Sequence, residues 1–197
     1  MNHHITEVAN RFADSLALTC AGAGLSHEGV RHLFLEAMSP QISASDIRYE
    51  YPHPSLPGAK VDVYIPLDPG KAWAFEFKFH QKIQSGKNQP RTQHAGQLFR
   101  DIFRLARFQP DHQAVERYLV YVTDGEMAAY LRKPSNGLNH LFSLRPGEAL
   151  EITKAEVAQR AETFRRSCQE TACDCRVTGR FGLCIKGRLW VRVYEVE

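Results

Sequence analysis

The stretch "WAFEFKFH" (73–80) alternates in the manner of a β-strand with two different faces. Its odd positions are all aromatic: Trp73, Phe75, Phe77 and Phe79. Its even positions include Glu76, Lys78 and His80, so the second face carries a carboxylate and an ammonium two residues apart. That face is either exposed to water on the outside of the sheet or directed at a substrate, and the sequence of this one strand is compatible with both.

The preceding stretch "VDVYI" (61–65) alternates in the same way and has a single aspartate, Asp62, on its even positions. A three-residue turn, "DPG" (68–70), with Gly70 at positive φ, would place Asp62 directly opposite Glu76. A two-residue turn would move Asp62 to the opposite face. The proximity of the two acids therefore depends on the length of this turn.

Two neighbouring carboxylates repel each other unless a cation lies between them. Mg²⁺ prefers one or two carboxylates together with waters and substrate phosphates, and it can polarise a phosphoryl oxygen. Lys78 would add a fixed positive charge beside Asp62 and Glu76, where a phosphoryl transition state accumulates negative charge. The three side chains together suit phosphodiester hydrolysis.

Periodicity predicts an α/β protein in which helices cover a mixed central sheet. We expect helices over 5–18, 27–38 and 92–108, with Ser26 as the N-cap of the second, and strands over 46–52, 61–67, 72–79 and 117–123. In the third helix the predicted buried stripe excludes Arg100, Arg104 and Arg107. Asp124 should cap a short helix, and a strand near 149–153, a polar helix over 154–168 and a closing hairpin should follow.

The pattern D-x13-E-x-K, formed by Asp62, Glu76 and Lys78, resembles that of the PD-(D/E)XK nuclease superfamily, with Val61 in place of the family's proline. The resemblance implies the restriction-endonuclease-like fold, with an αβββαβ core over about 26–123. It also implies a Mg²⁺-dependent nuclease acting on DNA, with Mn²⁺ as an alternative ion. In that family Asp62, Glu76 and the Phe77 carbonyl would hold the metal, and Lys78 would stabilise the transition state.

Many members of the family also place an acid near the metal from the first core helix, for which Glu28 and Glu36 are candidates. Glu50, on the first strand, is a further candidate for this extra acid. Some exonucleolytic members carry a Gln and a Tyr four residues apart on the next helix. Gln93 and Gln97 lie there, but no Tyr follows either at that spacing.

Two segments are rich in basic residues: 80–108 has six basic residues and one acid, and 160–192 has eight against three. A net charge of +5 in each is typical of a polyanion-binding surface, and equally of solvated helix faces that use arginine. If the partner is DNA, the candidate contacts to it are Lys82, Lys87, Arg91, Gln93 and Gln97.

Composition is that of an ordinary soluble globular protein, with 43% hydrophobic and 24% charged residues. Neither a secretory signal nor an apolar run of membrane-spanning length is visible, so we expect a cytoplasmic protein with no membrane partner. Four cysteines follow the spacing C-x4-C-x-C-x8-C: Cys168, Cys173, Cys175 and Cys184. Without paired C-x2-C knuckles, this spacing argues against structural zinc.

The leading hypothesis is a Mg²⁺-dependent, endodeoxyribonuclease-like hydrolase. The alternatives are a catalytically inactive nucleic-acid-binding protein of the same fold and a nonenzymatic protein-interaction domain. We expect a nuclease-like core over 1–134 and a C-terminal α/β extension over 135–197 packed on it. A homodimer would be the simplest arrangement for cutting both DNA strands.

Overall fold

The computed structural model describes residues 2–19, 24–67, 70–81, 90–110, 113–168 and 170–197. Its centre is a seven-stranded mixed sheet with the strand order β1-β2-β3-β4-β7-β6-β5. The strands are β1 (Arg48–Pro52), β2 (Lys60–Pro66), β3 (Lys71–His80), β4 (Ala114–Asp124), β5 (Ala149–Ile152), β6 (Cys175–Ile185) and β7 (Leu189–Val196). β3 and β4 pair in parallel, and the other neighbouring strands pair antiparallel. The predicted α/β class with a mixed sheet is confirmed.

Seven α-helices lie in the described part of the chain, with short 3₁₀ turns at Ala44–Asp46 and Pro134–Asn136. They are α1 (Asn2–Thr19), α2 (His27–Met38), α3 (Arg91–Ala106), α4 (Gly125–Arg132), α5 (Asn139–Phe142), α6 (Lys154–Ala158) and α7 (Glu162–Cys168). Among these helices, none combines the length and the apolar character that crossing a bilayer requires.

Two predicted helix caps are confirmed. The Ser26 hydroxyl accepts a hydrogen bond from the Gly29 amide at 3.0 Å and begins α2. The Asp124 carboxylate accepts one from the Met127 amide at 2.9 Å and begins α4 at the end of β4. Each cap satisfies an amide that the first turn leaves without a partner, which typically stabilises the fold by about 1 kcal/mol.

The polar helix predicted over 154–168 is wrong as a single element, because the chain forms α6 and α7 with a break at 159–161. The Arg160 guanidinium donates to the carbonyls of Asn136 and Gly137, both at 2.9 Å, and so holds the break against another part of the chain. After the break, Phe164 packs edge-on against Phe99 of α3. Tertiary contacts therefore override the local helical pattern.

The aromatic face of β3 is buried under α1 and α2, as its alternation predicts. Phe34 of α2 lies 5.5 Å from Phe75 and 5.4 Å from Phe77, measured between ring centroids, and Phe12 of α1 packs edge-on against Phe34. Rings at these distances add about 0.5–1.5 kcal/mol per pair beyond the burial of their area. The opposite face of β3 is covered by α3.

Residues 135–197 continue the central sheet. They supply β5, β6 and β7, and β7 pairs antiparallel with β4, which is the last strand before this segment. The hairpin predicted at the end of the chain is confirmed as β6 and β7. This segment also supplies α7, which packs on α3.

A glycine sets how closely α3 and α7 approach each other. A Cβ added at Gly96 would lie 2.6 Å from the Phe164 carbonyl oxygen and 2.7 Å from the Ser167 Cβ. Both contacts are shorter than van der Waals packing permits, and one of them is with backbone that cannot rotate away.

We therefore expect Gly96→Ala to lower the free energy of unfolding by about 1–3 kcal/mol, because the two helices must separate to admit the methyl group. Urea denaturation measures this loss. Gly125→Ala, in the first turn of α4, is the control: no heavy atom lies within 4 Å of its added Cβ, so stability should change little. Equal stability of the two variants would contradict the conclusion that Gly96 sets the distance between α3 and α7.

Candidate functional site

The pairing of β2 with β3 brings Asp62 next to Glu76. The register pairs Val63 with Phe75, and its continuation by one residue sets Asp62 opposite Glu76. Gly70 has φ +87°, and the Leu67 amide donates to the Lys71 carbonyl at 3.1 Å, as the three-residue turn requires. Residues 68 and 69 themselves lie outside the described residues. This register places both acids on one face, which is the outcome that the three-residue turn would give.

The Asp62 carboxylate is inserted between the two strands. Its Oδ2 accepts a hydrogen bond from the Phe77 amide at 2.7 Å, and it also interacts directly with the Glu76 carboxyl. The side chain of Asp62 thus bridges β2 and β3 where their backbones would otherwise pair.

The charged face of β3 is covered by α3, along which polar residues recur with a 3-4-3 spacing: His94, Gln97, Asp101 and Arg104. We call these four residues, with Glu76, Lys78 and His80 of β3, the polar seam. The Glu76 carboxylate is 2.5 Å from the Arg104 guanidinium, and the Lys78 ammonium is 2.9 Å from the Asp101 carboxylate. The face of β3 that carries Glu76 is therefore inside the protein rather than in bulk water.

Arg104 joins three elements, although the helical pattern predicted that it lies off the buried stripe of α3. Besides Glu76, its guanidinium contacts Asp101 at 3.4 Å and donates to the Lys60 carbonyl at the start of β2. The Arg104 side chain is 18% exposed, whereas that of Glu76 is 2% exposed. Since a carboxylate at such depth requires a positive partner, this contact explains why Arg104 turns inward.

Burial controls the electrostatics of the two facing acids. It raises the pKa of Glu76 well above the ordinary value, and the negative charges of Asp62 and Asp101 raise it further, against the opposing effect of Arg104. Burial also raises the pKa of Asp62, although the hydrogen bond from the Phe77 amide opposes this. Arg104 therefore offsets only part of the cost of charging Glu76, and a proton or a further cation beside this carboxyl would offset more of it.

His27, the first residue of α2, contacts the carbonyl expected to be a metal ligand. Its Nε2 lies 2.8 Å from the Phe77 oxygen, within hydrogen-bonding distance. The imidazole also lowers the pKa of Asp62 through its positive charge when protonated. The sequence pointed to an acid on this helix, but the residue that reaches the site is a histidine in its first turn.

The structure does not bring the three candidate extra acids to this site. Glu28 and Glu36 are exposed on α2, and Glu50 is exposed on β1, where its carboxylate is 3.5 Å from Arg31. The buried acid beside Glu76 and Lys78 is Asp101, which comes from α3 instead. Its position in the 3-4-3 polar spacing of α3 was the signal available in the sequence.

His80 and His94 lie at the end of the polar seam, beyond Lys78. Their ring centroids are 4.3 Å apart, and His80 Nδ1 lies 3.1 Å from the Tyr121 hydroxyl. Burial, followed by the nearby charges of His94 and Lys78, lowers the pKa of His80 to about 2. A neutral imidazole at this depth contributes packing and one hydrogen bond, and thereby separates Lys78 from the core beyond it.

Two of the five predicted DNA contacts, Lys82 and Lys87, lie outside the described residues. Arg91 is exposed at the start of α3, where its guanidinium is 2.6 Å from the Glu126 carboxylate. Gln93 and Gln97 line a surface pocket between α3 and α7, and Gln97 also hydrogen-bonds to His94.

The four C-terminal cysteines cannot surround a single ion. Cys175 and Cys184 lie at opposite ends of β6, which at the rise of a β-strand separates them by roughly 30 Å. All four are free thiols. Burial raises the pKa of Cys168 to about 11 and that of Cys175 to about 12, so both remain protonated.

Asp62 and Glu76 carry the hard oxygen ligands that Mg²⁺ prefers. The pKa of Glu76 is raised first by burial and then by the negative charges of Asp62 and Asp101, and a cation would offset that repulsion. Among the described residues, no group of three or more His, Cys, Asp or Glu side chains is placed to hold a metal ion. A magnesium ion here would rely on the two acids, with waters and substrate phosphate completing its coordination.

No protein-family model, no curated protein and no solved structure matches the chain. The resemblance to PD-(D/E)XK nucleases therefore rests on the motif and on the order of the elements.

The raised pKa of Glu76 predicts how stability varies with pH in metal-free buffer. In the unfolded chain this carboxyl loses its proton near pH 4.5, whereas in the fold it retains the proton to a higher pH. Between those two values the folded state binds more protons, so stability should fall as pH rises. Glu76→Gln should make the loss of stability between pH 5 and pH 8 smaller, by roughly 1.4 kcal/mol for each unit by which the pKa of Glu76 differs between the folded and unfolded states. The free energy of unfolding in urea, measured across this pH range, tests the prediction.

Asp62 contributes a smaller decline in the same direction, which should persist in Glu76→Gln. Glu50→Gln, which removes an exposed carboxylate, is the control and should keep the wild-type slope. Parallel pH profiles for the wild type and Glu76→Gln would show that burial does not perturb this carboxyl.

Proposed function

We propose that this chain is a metal-dependent nuclease that hydrolyses phosphodiester bonds in DNA, and that it has the restriction-endonuclease-like fold. The observation that carries the proposal is the placement of Asp62 and Glu76 side by side, with Lys78 two residues further along the same face. The order α2-β1-β2-β3-α3-β4 supports it, since it is the αβββαβ order expected of that fold.

In this proposal Asp62 and Glu76 would hold Mg²⁺ or Mn²⁺, and the Phe77 carbonyl, which His27 now contacts, would be a further ligand if that contact were released. Such an ion supplies Lewis-acid polarisation of a phosphoryl oxygen and a bound water of lowered pKa. Glu76 is buried and Asp62 is half-buried, which strengthens their attraction for a cation because little solvent screens it.

Lys78 would neutralise the charge that develops on the phosphoryl oxygens. Its side chain is 16% exposed, so the ammonium lies close to the surface while remaining in the polar seam. Asp101 restricts the ammonium through their ion pair, and an orientation set in advance is what makes such a charge effective in a transition state. Asp101 would therefore act as a positioning residue.

A second candidate function, an inactive DNA-binding protein of the same fold, is favoured by Arg104. Its guanidinium already supplies positive charge to Glu76 and Asp101, and His27 contacts the carbonyl that a metal would use. In this reading the arginine replaces the metal permanently and Glu76 is structural. The two candidates differ in whether a divalent ion can displace Arg104.

Cleavage of supercoiled plasmid with Mg²⁺ tests the catalytic roles. We expect nicking by the wild type and its loss in Asp62→Asn. Lys78→Ala should reduce turnover by about 10²-fold or more, because it removes charge stabilisation, while Mn²⁺ affinity measured by calorimetry changes only a few-fold. Lys71→Ala, an exposed lysine at the start of β3, is the control and should keep full activity. Unchanged cleavage by Lys78→Ala would remove that residue from the mechanism.

Divalent-ion affinity separates the two candidates without relying on turnover. If an ion competes with the Arg104 guanidinium for Glu76, Arg104→Met should bind Mn²⁺ at least about tenfold more tightly than the wild type. Arg107→Met, one residue beyond α3, serves as the control and should bind as the wild type does. If neither the wild type nor Arg104→Met binds Mn²⁺, the result favours the inactive DNA-binding protein.

A further inference from the structure

A surface pocket of about 400 Å³ lies between α3 and α7, next to the polar seam. The residues that line it are Gln93, Gln97, Arg100, Thr163, Arg166 and Ser167. Each of these side chains can donate a hydrogen bond, and two of them are cationic. The pocket exists because Gly96 lets α7 approach α3 closely, so both helices contribute to its walls.

The pocket's chemistry favours an anion. The set of residues lining it contains no carboxylate. The Arg166 guanidinium is 2.5 Å from the Glu162 carboxylate in a pair whose side chains are both mostly exposed, and such pairs are readily exchanged for another anion. Arg100 Nε is buried without a hydrogen-bond partner, and its only described ion-pair contact is with Asp101 at 3.7 Å.

The pocket adjoins the polar seam at one shared residue, Gln97. Gln97 belongs both to the pocket lining and to the polar seam, where it hydrogen-bonds to His94. Arg100 immediately precedes Asp101, the partner of Lys78. Because the pocket and the seam adjoin on α3, we expect a strand cleaved at Lys78 to carry a further phosphate near the pocket.

We propose that this pocket is a subsite for a phosphate group of a DNA strand, next to the phosphate cleaved at Asp62, Glu76 and Lys78. Arg100 and Arg166 supply the charge, and Gln93 and the Thr163 hydroxyl supply neutral donors, whereas the Ser167 hydroxyl donates to the Thr163 carbonyl at 2.9 Å. The inference deepens the proposed function and rests on it for the identity of the substrate. It also gives the C-terminal segment a role, since α7 provides half of the subsite.

The test is fluorescence anisotropy of a labelled DNA oligonucleotide in EDTA, where neither metal binding nor cleavage contributes. Arg100→Gln/Arg166→Gln should weaken binding roughly ten- to a hundredfold, because charge-assisted contacts to one phosphate are lost. The dependence of affinity on salt should also become shallower by about one unit of slope, as expected for one phosphate fewer. Arg176→Gln is the matched control, since Arg176 is likewise exposed and paired with one surface acid, Glu151.

Oligonucleotides with a 5′-phosphate and with a 5′-hydroxyl distinguish the source of the phosphate. An equal loss on both would assign the subsite to an internal phosphate, and a loss only on the first would assign it to a strand end. Affinity and salt slope that match those of Arg176→Gln, or a wild type that does not bind DNA, would overturn the subsite. If the wild type never cleaves DNA but the double variant still loses binding, the subsite stands and the nuclease proposal fails.

Discussion

The burial of one carboxylate, Glu76, constrains most of the structure around the candidate site. With 2% of its side chain exposed, Glu76 requires a positive partner, and Arg104 of α3 supplies it across a distance of 2.5 Å. The same guanidinium reaches Asp101 and the Lys60 carbonyl, so one side chain ties α3 to both β2 and β3. Removing one partner from such a buried pair typically costs about 3–5 kcal/mol, which makes the orientation of α3 dependent on this contact.

One face of β3 contributes to stability, and the other carries the candidate catalytic residues. On one face Phe75 and Phe77 pack under α1 and α2 and contribute hydrophobic burial. On the other face a row of ionisable groups is held under α3, where a fully apolar layer would be at least as stable. Buried ionisable groups with perturbed pKa values cluster at functional sites, and this is why the polar seam carries the functional proposal.

The elements and the facing acids were predictable because they depend on local rules. Alternation identified β2 and β3, and the helix caps at Ser26 and Asp124 follow from residue type. A three-residue turn ending in Gly70, one of two that the sequence allowed, gives the register that sets Asp62 opposite Glu76. Asp101, Arg104 and His27 were not predicted as site residues. The 3-4-3 polar spacing of α3 marked Asp101 and Arg104 as one row, but which strand that row faces, and the approach of His27, depend on how the helices pack.

Arg104 illustrates the limit most clearly. A helical pattern assigns a charged residue to the solvent side, and only the depth of Glu76, 28 residues earlier in the chain, reverses that assignment. The break between α6 and α7 has the same origin, since Arg160 binds carbonyls more than 20 residues away. Long side chains that satisfy distant buried groups are therefore where local reasoning failed in this protein.

The central claim is that Asp62 and Glu76 together bind a divalent cation. Anomalous diffraction from crystals soaked in Mn²⁺ tests it most directly, because the ion is located without reference to activity. The account predicts one strong anomalous peak between the two carboxylates, with the Arg104 guanidinium displaced from Glu76. Crystals in which Arg104 still contacts Glu76 and no manganese lies beside Asp62 would contradict it.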